Sequence, residues 1–246
     1  MPDKYVVVLS GGMDSSTLLR QMIADGKTIT SCASFNYGQR HKKELEYAAF
    51  QAKKAKLKHH VIDLWSAGFT DAIAGSSSLV GGSDVPEGHY AADNMKQTVV
   101  PNRNMVMLAI AGSIAVAEGA HQVATAVHAG DHFVYPDCRQ AFINDMTIAL
   151  INGNIDMGEV PMRGVYAPFI RSSKEDIAAE AIRLNMDFSK TWSCYKGGQY
   201  HCGRCGTCVE RLEAIQGAAN THQVDVNEID KTRYEDADYW KGVING

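Results

Sequence analysis

Hydrophobic positions along this chain alternate between two periods. Tyr5 to Leu9 is an apolar, β-branched run that stops at Ser10-Gly11-Gly12, the mark of a strand, and Ser15 to Ala24 then repeats at helical spacing. Ile29 to Phe35 predicts a second strand, Lys43 to Ala55 a helix with alanines and Tyr47 on one face, and His60 to Leu64 a third strand. A long helix is expected over Met105 to Glu118, a strand over Gln122 to Ala129, and helices over Gln140 to Gly153 and Lys174 to Leu184. Strands that alternate with helices imply crossover connections and a parallel sheet. The predicted fold is therefore α/β, a doubly wound, mainly parallel sheet in a single domain over residues 1–246. In such sheets ligands bind beyond the carboxyl ends of the strands, so the loops after Leu9, Phe35 and Ala129 should border one pocket. Gly75 to Gly88, rich in Gly and Ser without periodicity, reads as a mobile surface loop.

Composition narrows the class. With 246 residues, 45% hydrophobic and 21% charged, the chain can bury a full core and does not have the make-up of a disordered segment. Its most apolar stretch, Met105 to Ala117, is shorter than the roughly 18 to 20 residues that cross a bilayer. The start, Met1-Pro2-Asp3-Lys4, is followed by an apolar run too short for a secretory leader, so a cytoplasmic location with no membrane partner is expected. A net charge of -4 argues against a nucleic-acid surface and for small substrates. The basic run from Lys53 to His60 reads as a solvated helix end.

Candidate chemistry begins at the first strand-to-helix junction. Between Leu9 and the first helix, Ser10-Gly11-Gly12-Met13-Asp14-Ser15-Ser16 directs backbone N–H groups and a positive helix end at an anion. Ser10, Ser15 and Ser16 add hydroxyl donors, and the Gly-Lys-Ser/Thr ending of a Walker A loop is absent. Asp14 beside a polyphosphate either holds a divalent cation, Mg2+, or caps the helix. Farther along, Cys194, Cys202, Cys205 and Cys208, with Gly203 and Gly206 between them, provide four thiolates for a closed tetrahedral site. That set fits a structural zinc ion in a small knuckle over residues 194–208; an iron–sulfur cluster uses the same ligands. Cys32 is expected in the core, and Cys138 has no assigned role.

The SGGxDS pattern at this junction resembles the signature of the PP-loop ATP pyrophosphatases, enzymes of Rossmann-like, adenine nucleotide α-hydrolase type that cleave ATP between the α- and β-phosphates. Pro101-Asn102-Arg103-Asn104 resembles that family's second phosphate-side motif, with Asn102 in place of a glycine; Asn tolerates left-handed geometry best among the other residues. Phe35-Asn36-Tyr37-Gly38-Gln39-Arg40-His41, Tyr135-Pro136-Asp137-Cys138-Arg139 and the cysteine cluster together resemble the 7-cyano-7-deazaguanine synthases of queuosine biosynthesis, over Val6 to about Leu212.

The resemblance implies an ATP-dependent ligase that turns 7-carboxy-7-deazaguanine and ammonia into the nitrile, as a homodimer with structural zinc. It implies ATP binding by Leu9, Ser10, Gly11, Gly12, Met13, Asp14, Ser15, Ser16 and Arg103, with Asp14, Ser15, Arg40 and Lys174 as catalytic residues. Arg40 and His41 would sit beside the pocket, the guanidinium on a carboxylate or phosphate oxygen. Asp131 and Asp137 would accept N–H donors of a guanine-like ring, Arg139 would hold an anion nearby, and Phe35 or Tyr37 would stack on the base. Taken singly, each is equally an ordinary loop residue. With no stretch long enough for a glutaminase, free ammonium is the expected nitrogen source. Two other readings compete: a tRNA thiolase or lysidine-type ligase of the PP-loop class, which lacks support from any basic surface, and a nucleotide sensor without catalysis.

Overall fold

The computed structural model describes residues 2–81 and 83–245. Strands β1 (Lys4–Val8), β2 (Thr28–Asn36), β3 (Lys58–Asp63), β4 (Gln122–Ala124) and β5 (Val165–Tyr166) form one sheet in the order β3-β2-β1-β4-β5. Every pairing in it is parallel. Helices α1 (Met13–Ala24), α2 (Glu44–Lys54), α3 (Phe69–Ala72), α4 (Arg103–Ala117), α5 (Gln140–Gly153), α6 (Lys174–Arg183), α7 (Gly206–His222), α8 (Val226–Ile229) and α9 (Tyr239–Asn245) complete the chain. The sheet runs outward from β1 in both directions, so the expected doubly wound α/β architecture is observed.

Burial on both faces explains why β1 is an unbroken apolar run. Tyr5, Val7 and Leu9 pack with Leu18, Leu19 and Met22 of α1, Ala48 and Ala52 of α2 and Ile177 of α6. Val6 points the other way, into a cluster with Leu108 and Ala111 of α4 and Ile143, Met146 and Leu150 of α5. Small residues let α6 and α7 approach closely, Ala178 and Ala181 meeting Ala214, Ile215 and Ala218.

Several local expectations change. The strand predicted over Gln122 to Ala129 ends at Ala124, because its partners β1 and β5 offer no further ladder; a 3-10 turn begins at Ala129. The third strand starts earlier, at Lys58, and ends at Asp63. Gly75 to Gly88 is not simply a surface loop: Ser77, Ser78, Leu79, Val80 and Val85 are buried, and Ser78 N–H donates to Gln97 O at 2.8 Å. Asn102 adopts the left-handed conformation at φ 55°, where it caps α4. Cys32 lies fully inside the core, and burial pushes its thiol up to about 12.

A buried cation is one of the anchors of the final segment. Arg211 of α7 is fully buried and donates to Thr191 Oγ1 and Phe188 O, both at 2.8 Å, to Tyr234 Oη at 2.9 Å and to Thr232 Oγ1 at 3.0 Å, with Asp230 at 3.9 Å. Its Nη1 also donates to Ser193 Oγ at 3.2 Å, so replacing it with Met leaves Asp230 and five acceptors without their donor. Arg211→Met is expected to cost roughly 3–5 kcal/mol in urea unfolding and to open the chain after Val226 to protease; an unchanged midpoint would contradict this.

Candidate functional site

The order of the sheet reverses at β1 and β4, and a cavity of about 200 Å3 opens beyond their carboxyl ends. Leu9, Ser10, Gly12, Met13, Asp14 and Ser15 line it from the first turn. The turn is held by its own hydroxyls: Ser10 Oγ lies 3.0 Å from Ser15 Oγ and accepts from Gly12 N–H at 3.2 Å. Gly12 caps α1 without a side-chain bond, and the first amides of a helix have no partner within it, so they are free to meet an anion. Gly11 serves packing rather than approach to ligand. At φ 84°, a Cβ there would fall 2.2 Å from Glu44 O, which seats the turn directly on α2.

One side of the cavity gathers acids around a lysine. Ser173 caps α6 in a reciprocal pairing with Asp176, and this fixes Lys174 as the first helical residue. Its Nζ lies 2.6 Å from Asp14 Oδ2, 3.2 Å from His128 Nε2 and 3.4 Å from Glu210 Oε2. His128 Nε2 is also 3.5 Å from Asp131 Oδ2, and Tyr90 Oη–H donates to Asp131 Oδ1 at 3.0 Å. Burial alone would raise the Asp14 carboxyl, but Lys174 and His128 outweigh it and hold Asp14 ionised. Glu210 is raised, because burial outweighs the influence of Lys174 and His128. Asp14 Oδ1 is buried without a hydrogen-bond partner, so Asp14 does not serve as a helix cap.

The opposite side is aromatic. Phe35, Tyr37, His41, Glu44, Arg103, Tyr135 and Tyr195 line it. Gln39 Nε2–H donates to Glu44 Oε1 at 2.8 Å, yet burial pushes the Glu44 carboxyl up to about 8. Burial, with Arg103 nearby, pushes the His41 imidazole down to about 3, leaving it neutral. Cys138 is buried at this wall and its thiol is raised by burial and by Asp131 and Asp137, which removes it as a nucleophile.

Beneath this site the four cysteines converge. The sulfurs of Cys194, Cys202, Cys205 and Cys208 all lie within 4.8 Å of one another, and all four residues are buried. Backbone N–H groups of Arg204 and Cys205 point at Cys202 Sγ at 3.4 and 3.3 Å, a donor arrangement that stabilises thiolate. Gly203 needs its φ of 74°, since a Cβ would strike Asp236 O at 1.7 Å. A buried, closed cluster of four soft donors fits a metal ion. Cys205 caps α7, so the cluster also aims Thr207 and Glu210 into the cavity. Trp192 ties the two sites: its N–H donates to Gly11 O and its indole to Cys194 O, each at 2.9 Å.

Of the residues predicted from sequence, Leu9, Ser10, Gly12, Met13, Asp14, Ser15, Phe35, Tyr37, His41, Arg103, Asp131 and Lys174 share the cavity wall. Others lie elsewhere. Ser16 is fully buried behind the turn with no partner for its hydroxyl. Arg40 turns outward toward Asp84 at 3.9 Å, Asp137 receives Asn104 N–H at 3.0 Å, and Arg139 Nε–H donates to His132 O at 2.9 Å. Glu44, Tyr90, His128, Tyr195 and Glu210 had no individual signal in the sequence.

Comparison with known proteins shows the family. The family model described as "Queuosine biosynthesis protein QueC" matches residues 4–219. This chain belongs to that family. Within the QueC family, it is 48% identical over 244 residues to the 7-cyano-7-deazaguanine synthase of Paracoccus denitrificans, covering 98% of this chain and 97% of that one. It is also 48% identical over 243 residues to the 7-cyano-7-deazaguanine synthase of Allorhizobium ampelinum, covering 99% and 97%. Among solved structures, the NH3-dependent NAD synthetase of Campylobacter jejuni is similar over 98% of this chain and 84% of that one, at 15% identity and a TM-score of 0.43, too remote to carry an argument.

Two expectations follow for this QueC-family chain. Between pH 4.5 and about 8 the folded protein keeps a proton on Glu44 that the unfolded chain has lost, so stability falls as pH rises through that window. Relative to wild type, Glu44→Gln should gain up to about 1.4 kcal/mol per pH unit there; parallel pH profiles in denaturant titrations would refute the assignment. Removing metal with a chelator, or Cys205→Ser, should cost several kcal/mol of thermal stability, and a chelator-insensitive melting curve would refute a metal site.

Proposed function

We propose that this chain is a 7-cyano-7-deazaguanine synthase, an ATP-dependent carbon–nitrogen ligase acting on 7-carboxy-7-deazaguanine and ammonia. One observation carries the reading: Lys174 and Asp14, 2.6 Å apart, meet at the open amino end of α1, in a chain nearly half identical to full-length relatives of that name. A carboxylate has no good leaving group, so its oxygen attacks the α-phosphorus of ATP and pyrophosphate departs. Ammonia displaces AMP to form an amide. The amide oxygen repeats the attack on a second ATP, and loss of AMP and protons leaves the carbon–nitrogen triple bond.

Each residue then has a physical task. Amides at the start of α1, with the hydroxyls of Ser10 and Ser15, cradle the triphosphate, and Lys174 neutralises the charge that develops as pyrophosphate leaves. The partnerless Oδ1 of Asp14 suits a Mg2+ ion, which when bound would offset further phosphate charge. Glu210, His128 and Asp131 stand where protons shed by attacking ammonia can be taken up. Phe35 and Tyr37 offer faces for a flat base. We assign zinc to the four cysteines, as a clamp on α7 rather than a catalyst; one zinc per chain without visible absorbance supports this, and bound iron contradicts it. Exposed Ile148, Ile155 and Met157, on and just beyond α5, support a self-associating face and hence a homodimer.

Incubation with ATP, magnesium, ammonium and the deazapurine acid should yield the nitrile and AMP by mass spectrometry. Lys174→Ala and Asp14→Ala should each lower AMP formation by roughly 10²- to 10⁴-fold with the fold retained by circular dichroism. Near-normal turnover in either variant would overturn its role.

A further inference from the structure

The two cationic groups of the cavity are not equally partnered. Lys174 meets Asp14 at 2.6 Å and Glu210 at 3.4 Å. Arg103, the first residue of α4, lines the same cavity, yet among the described residues no carboxylate reaches ion-pair distance of its guanidinium. Its neighbours are phenols: Tyr37 is near enough to feel its charge, and its guanidinium carbon stands 5.4 Å from the centre of the Tyr135 ring. Asp137 is near enough to be felt, but its Oδ2 is already taken by Asn104 N–H at 3.0 Å.

Arg103 is only partly buried and lines the cavity with no carboxylate of the described residues at ion-pair distance, so its guanidinium stands where the anion of a ligand can meet it. The activity proposed above admits two anions. On the proposed activity the triphosphate belongs at the amino end of α1, where the first amides of the helix, Ser10, Ser15 and Lys174 converge; Arg103 enters the cavity from the start of α4, beside Tyr135. What remains is the carboxylate of the acid substrate, whose two oxygens match the planar fork of an arginine. We propose that Arg103 holds the substrate carboxylate and so selects the acid over the neutral amide, a specificity role that rests on the proposed synthase activity. The role transfers to Arg103 the contact that sequence assigned to Arg40, and it removes Arg103 from the nucleotide.

The reaction tests this by itself, because its first round takes an anion and its second a neutral carboxamide. Steady-state kinetics are measured on wild type, Arg103→Met and Arg103→Lys, with either 7-carboxy-7-deazaguanine or the corresponding carboxamide supplied. Arg103→Met should raise KM for the acid about 10- to 100-fold while leaving KM for the carboxamide and for ATP nearly unchanged. Arg103→Lys keeps the charge without the fork and should fall between. Thermal melting is measured for both variants, and if Arg103→Met melts lower than wild type, the Lys variant carries the comparison. Equal losses with both substrates, or a raised KM for ATP, would overturn the assignment. If wild type forms neither AMP nor nitrile, the synthase reading fails instead. Calorimetric binding of acid against carboxamide then still decides the preference of Arg103: a wild-type preference for the acid that Arg103→Met abolishes supports it, and equal affinities overturn it.

Discussion

An ammonium group taken out of water has to be met by anions, and Lys174 satisfies that demand with carboxylates from distant parts of the chain. Asp14 comes from the first turn after β1, Glu210 from the first turns of α7, and Lys174 itself from the start of α6. The three elements are brought together by packing that the sequence encodes diffusely: alanines between α6 and α7, and the apolar face of α1 against β1. Once they are in place, a single lysine joins the phosphate loop to the helix that starts at the cysteine cluster. The geometry of the site is therefore a property of the whole fold and not of the loop alone.

Local signals were legible and non-local ones were not. The β-branched run ending at Gly11 and Gly12, the helical spacing after it and the cysteine spacing each act over a few residues, and each led to the element or cluster observed. The strand expected over Gln122 to Ala129 stops at Ala124 because Ala126 and Val127, though apolar, have no neighbouring strand to pair with. β5, with two residues, is too short to leave a pattern, and α7 was overlooked because its cysteines, glycines and polar residues hide the period of its buried face.

The candidate site divides in the same manner. Residues of the phosphate loop were found by motif, whereas Glu44, His128, Tyr195 and Glu210 acquire meaning only through burial and neighbours that folding supplies. Arg40 illustrates the converse: it sits one residue before His41, which faces the cavity, yet its own side chain turns outward. Adjacent positions in a loop need not share a direction, and charge type alone does not say which arginine meets the ligand.

Trp192 spans the gap between the cysteine cluster and the phosphate loop, donating its main-chain N–H to one and its indole N–H to the carbonyl of a residue in the other. It is almost completely enclosed. The backbone of this residue is held by the loop and its indole by the knuckle, so a displacement of either is passed to the other through one side chain. Scaffold and reaction chamber are thereby assembled as one unit.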